Sequence, residues 1–333
     1  ASQPPCRPSR ALMQRLRPLL AHRARPQKGA AVILALLTVT LVAGLAAAAV
    51  GDLGVAMDQI IGRHDQAQAR QLARGTVDWA RNVLAEDART TQVDHLGEAW
   101  AVKVPPTPVE EGEVSGELQD LSGRINLNNL VQPDGPNLLE LEQFRRLLSL
   151  VGIGEAEALN LSAALLDWLD TNDTPRLPGG AESSWYGAQT PARRPANGPL
   201  VAVSELTQVR GFTPDLVARL SPFVSTLPVG TASTRVNVNT APAEVLAAAV
   251  AGLTLDAARV LIVQRNRAWF KDVADFSARL PASDVAPDTT TLATTSTYFL
   301  ATGRARFGVS MVRMEVLLDR SQNWPTIVWQ KLL

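Results

Sequence analysis

The chain has 333 residues, room for about two domains. Apolar residues make up 46% and charged residues 19%, near globular averages, which excludes collagenous, coiled-coil, disordered and multi-span membrane classes. Lys+Arg and Asp+Glu both number 32, so net charge gives no reason to expect nucleic-acid binding. The balance is uneven along the chain. Arg7, Arg10, Arg15, Arg17, Arg23, Arg25 and Lys28 precede residue 30 with no acid among them, leaving 25 basic groups against 32 acidic in the remainder. Cys6 is the single cysteine, so no intrachain disulfide can form.

Residues 30–50 (AAVILALLTVTLVAGLAAAAV) carry no charge. As a helix they rise about 31 Å, the thickness of a hydrocarbon core. The basic groups upstream keep the N-terminus cytoplasmic and send the bulk of the chain across the membrane. A cleaved secretory signal is the other reading, with Ala-rich residues 45–49 offering an A-x-A site, but the stretch is long for a signal core of about 7–15 residues. Helical patterning then continues to residue 88, with Met57, Ile61, Leu72, Trp79 and Val83 on one stripe expected to pack on a soluble domain.

A basic leader ending Lys28-Gly29, then a small residue and an unbroken apolar helix, resembles a type IV prepilin signal. The resemblance implies that a prepilin peptidase cuts after Gly29 and methylates the new N-terminus at Ala30. Most such proteins carry Glu at the fifth mature position. Here it is Leu34. The K-type minor pseudopilins of type II secretion depart in the same way. The Glu is thought to compensate a neighbour's terminal amine inside the membrane, where an unpaired charge is costly. A subunit without it suits the first position, at the tip.

Next comes a strand-like region: residues 100–104 alternate, Pro105, Pro106 and Pro108 mark a loop, and residues 113–120 read as a second strand. Helices are expected at about 137–151, 155–170, 203–209, 213–224, 241–250, 255–267 and 272–279. Three joints look like helix-hairpin-helix units: Gly152-Ile153-Gly154, Arg210-Gly211-Phe212 and Gly252-Leu253-Thr254. In DNA binders of that kind a Gly-x-Gly turn presents backbone N–H groups to phosphate. The third joint lacks the second Gly, and Glu155 and Glu157 after the first would repel phosphate. They read as packing units, with a membrane-anchored DNA-uptake receptor as the alternative function. K-type pseudopilins are similar here too, carrying an all-α insertion of two small subdomains.

Between them lies an acidic loop. Asp167 and Asp170 share a helix face, Asp173 follows, and Gly179-Gly180 lets the chain turn back with Glu182. Four carboxylates with little basic compensation except Arg176 suit Ca²⁺, which takes six to eight oxygens in irregular loops. The EF-hand spacing is absent, and a solvated turn capped by Asp173 or Thr174 would look alike. The stretch is similar to the calcium loop of K-type pseudopilins, which implies a structural Ca²⁺ held among Asp167, Asp170, Asp173 and Glu182. Sequence leaves the true ligands among the four open.

Residues 298–306, 309–319 and 326–331 alternate and read as an antiparallel meander needing a partner for its apolar face. The expected class is α+β: a long helix on a small antiparallel sheet, interrupted by an all-α insertion. The segments are 1–29 leader, 30–51 span, 52–124 helix and first strands, 125–230 and 231–285 the two insertion subdomains, and 286–333 the closing meander. No Ser–His–Asp set, HExxH, Walker loop or dinucleotide fingerprint occurs, and His22, His64 and His95 read as polar surface residues. A hydrolase built from Asp167, Asp170 and Glu182 lacks a second, distant acid. The resemblance implies no enzyme but an inner-membrane, single-span, largely periplasmic subunit. Its implied partners are the I-, J- and H-type minor pseudopilins and the prepilin peptidase, with exoproteins and the outer-membrane secretin as further contacts.

Overall fold

The computed structural model describes residues 29–333, apart from 111, 231, 232, 282–284 and 286. The basic leader residues, Cys6 and His22 lie outside the described residues. The chain divides into two units, residues 1–61 and 62–333.

In the first unit, residues 30–61 form the opening part of helix α1 (Ala30–Thr90). Among the described residues it is the one helix long and apolar enough to cross a membrane, and none of its apolar stretch is buried within the chain. Its hydroxyls turn inward: Thr38 donates to the Ala35 carbonyl at 2.9 Å and Thr40 to Leu37 at 3.0 Å. That satisfies the only polar side chains in a segment suited to lipid.

In the second unit, residues 62–90 of α1 lie on a five-stranded antiparallel sheet. The face that packs is Ala69, Ala73, Val77, Ala80 and Leu84, spaced by four and three residues. This corrects the expected stripe: Trp79 stays 53% exposed, Met57 and Ile61 are exposed, and Leu72 and Val83 only flank the contact. Small alanines let helix and sheet approach closely, and the larger side chains fall to either side. Trp100, in a single 3₁₀ turn at Ala99–Ala101, closes the core edge-on to Phe299 at 5.1 Å.

Strand β1 is Val104–Val109 and β2 is Gly112–Asp120. Residues 100–104 are therefore not the first strand; the proline segment is. β1 is an edge strand paired with β2; Pro105 and Pro106 fall in an irregularity of the ladder between Val104 and Thr107, where prolines are tolerated.

The insertion is built from two similar starts. β3 (Ile125–Asn126) leads into Leu127-Asn128-Asn129-Leu130, whose Leu side chains are fully buried. Asn128 exchanges bonds with the Leu200 backbone, donating at 3.0 Å and accepting at 2.8 Å, and also donates to the Leu227 carbonyl at 2.9 Å. After the small ladder β4 (Val131–Gln132) with β5 (Gly135–Pro136) come α2 (Leu138–Leu150), α3 (Glu155–Leu169), α4 (Ser183–Gly187) and α5 (Pro214–Leu220). β6 (Val224–Ser225) then returns parallel to β3.

The second start is β7 (Val236–Asn237), where Asn239 pairs with the Phe270 backbone at 2.9 and 2.8 Å. It is followed by α6 (Ala243–Ala249), α7 (Leu255–Arg267), α8 (Val273–Ala278) and β8 (Leu292–Ala293), which lies parallel to β7. Gly152, Gly211 and Gly252 turn the three expected hairpins with φ of 86°, 88° and 81°, which a side chain would oppose. One apolar cluster runs from Ile125 to Leu292.

The chain re-enters the sheet as β9 (Tyr298–Phe307), β10 (Ser310–Asp319) and β11 (Thr326–Leu332), the expected meander. β9 pairs with β2, giving the order β1-β2-β9-β10-β11. Val312, Met314, Val316 and Leu318 face the helix, while Leu317 meets Leu121 and Leu227 on the other side.

Candidate metal centres

The acidic loop begins where α3 ends. Asp167 is fully buried at the helix terminus, Asp170 caps it, and α4 positions Glu182 and Tyr186. The Arg176 guanidinium joins the first two acids, lying 2.8 Å from Asp167 Oδ1 and in close contact with Asp170 Oδ2. The Arg176 backbone N–H also donates to Asp167 Oδ2 at 3.1 Å. Asp173 is exposed and accepts the Ser183 N–H at 3.0 Å. Gly180 lies so close under Asp167 that a Cβ there would overlap its carboxylate and the Arg176 backbone.

Glu182 is 1% exposed, and neither of its oxygens has a hydrogen-bond partner. Burial, then the fields of Asp167, Asp170 and Asp173, push its carboxyl up to about 7 despite Arg176. An orphaned buried carboxylate beside other acids is the environment a hard cation satisfies. Arg176, the one basic residue that the sequence sets against these acids, pairs with two of them.

A second acid cluster lies within residues 87–98, where no motif spacing marks it, and its basic partner, Arg320, is far away in the chain. One oxygen from each of Asp87, Asp94 and Glu98 lies within 4.8 Å of the other two, the one such group among the described residues. These buried carboxylates can hold a metal ion. Arg320 reaches Asp87 at 2.8 Å and Asp94 at 2.5 Å. Burial first, then Glu98, raises the Asp87 carboxyl to about 6. His95, expected as a surface residue, stacks on Trp269 at 5.3 Å and 11°.

Of the processing residues, Gly29 is exposed and its carbonyl accepts the Ile33 N–H at 3.3 Å, so the helix begins at Ala30. An apolar cavity of about 470 Å³ lies beside α1 and β2, lined by Leu72, Trp79, Trp100 and Val114 among others. Its one acid, Glu117, is already paired with Lys103 at 3.1 Å.

Sequence models of the family described as "Type II secretion system (T2SS), protein K" match residues 123–229 and 236–295. The type II secretion system protein K of Pseudomonas aeruginosa is 36% identical over 263 residues, covering 77% of this chain and 78% of the relative. The chain belongs to the type II secretion system protein K family. The protein K of Aeromonas hydrophila is 30% identical and covers 92% of this chain and 97% of its own length. The fold matches a chain in the crystal structure of the GspK–GspI–GspJ complex from enterotoxigenic Escherichia coli, with a TM-score of 0.73 and 25% identity. That match covers 83% of this chain and 99% of the other. As a protein K, the chain is a structural minor pseudopilin of the pseudopilus tip complex and not an enzyme. The hairpins accordingly serve packing, and the DNA-uptake reading is set aside.

Proposed function

We propose that this protein K caps or initiates the pseudopilus from the periplasmic side of the inner membrane, in contact with I- and J-type minor pseudopilins and, below them, an H-type subunit. The observation that carries this reading is the match over nearly the whole of a chain solved in complex with its I and J partners. Prepilin peptidase is the enzyme that would mature it, cutting between Gly29 and Ala30 and methylating Ala30. The exposed Gly29 at the foot of the helix is accessible to such a cut. The N-terminus then lies on the cytoplasmic side and the second unit in the periplasm, where exoproteins and the secretin are within reach.

Calcium completes the reading. The unpartnered oxygens of Glu182 mark the centre of a Ca²⁺ site to which Asp167, Asp170 and Asp173 contribute, with Arg176 yielding some of its contacts. Ca²⁺ would staple a long periplasmic loop for which the chain has no disulfide. Co-expression with its own I and J partners tests the assembly: a ternary complex should survive gel filtration, and failure to co-purify with either partner would overturn the proposal.

A further inference from the structure

We propose that Asp87, Asp94 and Glu98 form a second divalent-cation site, of the oxygen-ligated Ca²⁺ type, at the joint between helix, insertion and closing strands. It is independent of the acidic loop and shares no residue with it. The spacing fits an ion. Ca²⁺ sits about 2.3–2.6 Å from each oxygen, so two of its ligands stand at most about 5 Å apart. The three carboxylate oxygens lie within 4.8 Å of one another.

The charge count asks for a cation. Three buried carboxylates meet one guanidinium, and that guanidinium is pinned. Arg320 Nη1 serves Asp87, Nη2 serves Asp94 and the Ser296 carbonyl at 2.8 Å, and the group lies over the Phe299 ring at 4.7 Å. No Arg320 contact extends to Glu98. Two negative charges are left over, and uncompensated charge in a buried setting is costly. A divalent ion closes the count.

Glu98 supplies the independent sign. Its Oε2 accepts from His95 N at 2.9 Å and Trp100 Nε1 at 2.7 Å, whereas Oε1 is buried with no partner. His95 Nε2 stands 4.0 Å away, and its Nδ1 accepts the Gly97 N–H at 3.1 Å, which requires the unprotonated nitrogen. The ring's proton is then on Nε2, and at 4.0 Å that N–H stands beyond hydrogen-bond reach, so Glu98 Oε1 is left with a bond to make.

The position gives the ion a purpose. Asp87 lies in the last turn of α1, Asp94 and Glu98 precede the first strands, Arg320 follows β10, and Asn237 of the insertion donates to the Asp94 backbone carbonyl at 3.1 Å and to Ser296 Oγ at 2.7 Å. An ion here would fasten the insertion to the split pseudopilin domain.

The test is equilibrium dialysis of radioactive Ca²⁺ against the full chain in detergent, with Glu98→Gln and Glu182→Gln made separately. Gln at 98 keeps an oxygen for His95 N and Trp100 Nε1, and Asp87→Asn, at the rim, is the reserve should it fail to fold. Wild type is expected to bind two ions and Glu98→Gln one, with affinity at the joint falling at least tenfold. If only the loop site fails, wild type binds one ion that Glu98→Gln loses and Glu182→Gln retains. Unchanged stoichiometry and affinity in folded Glu98→Gln or Asp87→Asn, or no binding in wild type, would overturn the joint site.

Discussion

Gly303 of β9 lies directly beneath Thr76 of α1: a Cβ at position 303 would stand 2.5 Å from Thr76 Oγ1. Its partner across the ladder is Gly116, so helix and sheet touch where two strands carry no side chain. The close approach that buries Ala73 and Ala80 depends on this gap.

Gly303→Ala should therefore cost about 1–3 kcal/mol by overpacking. Thr76→Ala, which removes the obstructing hydroxyl, should recover most of that loss in the double variant. Chemical denaturation of the four proteins gives the coupling; purely additive effects would show that the contact is not the cause.

Glu140, at the start of α2, is 2% exposed and accepts from Asn129 Nδ2 at 3.1 Å. Burial lifts its carboxyl from 4.5 to about 7. Between those values the folded state holds a proton that the unfolded state has released, so stability falls as pH rises, by about 3 kcal/mol in all. Glu140→Gln should match wild type near pH 4.5 and exceed it at pH 8. Parallel melting curves across that range would refute the shift.

Calcium should stabilise the wild-type chain by about 2.7 kcal/mol for each occupied site at a hundredfold excess over that site's dissociation constant. Asp170→Ala should reduce the increment that depends on the loop. The reading is the difference in melting temperature with Ca²⁺ and with chelator, taken in the Glu98→Gln background so that the loop reports alone. An increment equal in the presence and absence of Asp170 would remove it from the ligand set.

Gly29→Val should leave the protein at precursor length in cells that contain the peptidase. Immunoblotting resolves the two forms. Normal maturation of this variant would place the cut elsewhere.

Local pattern and long-range chemistry were unequally legible. The uncharged run at residues 30–50 and the alternation around Val312–Leu318 depend on neighbours in sequence, and both translate directly into helix and strand. The buried side of α1 was misread because hydrophobic size pointed to Trp79, whereas closeness of approach selected Ala69, Ala73 and Ala80. β1 was missed because Pro105, Pro106 and Pro108 argue against a strand unless it is known to be an edge. The acids of the loop lie within one short segment and could be grouped on sight. Asp87 and Arg320 are 233 residues apart, and only the sheet's closure brings them together.

The most direct test of the account is the N-terminal mass of the protein isolated from bacterial membranes. A start at Ala30 carrying one added methyl group is the predicted result. A start near residue 50, with no membrane-spanning helix retained, would contradict it.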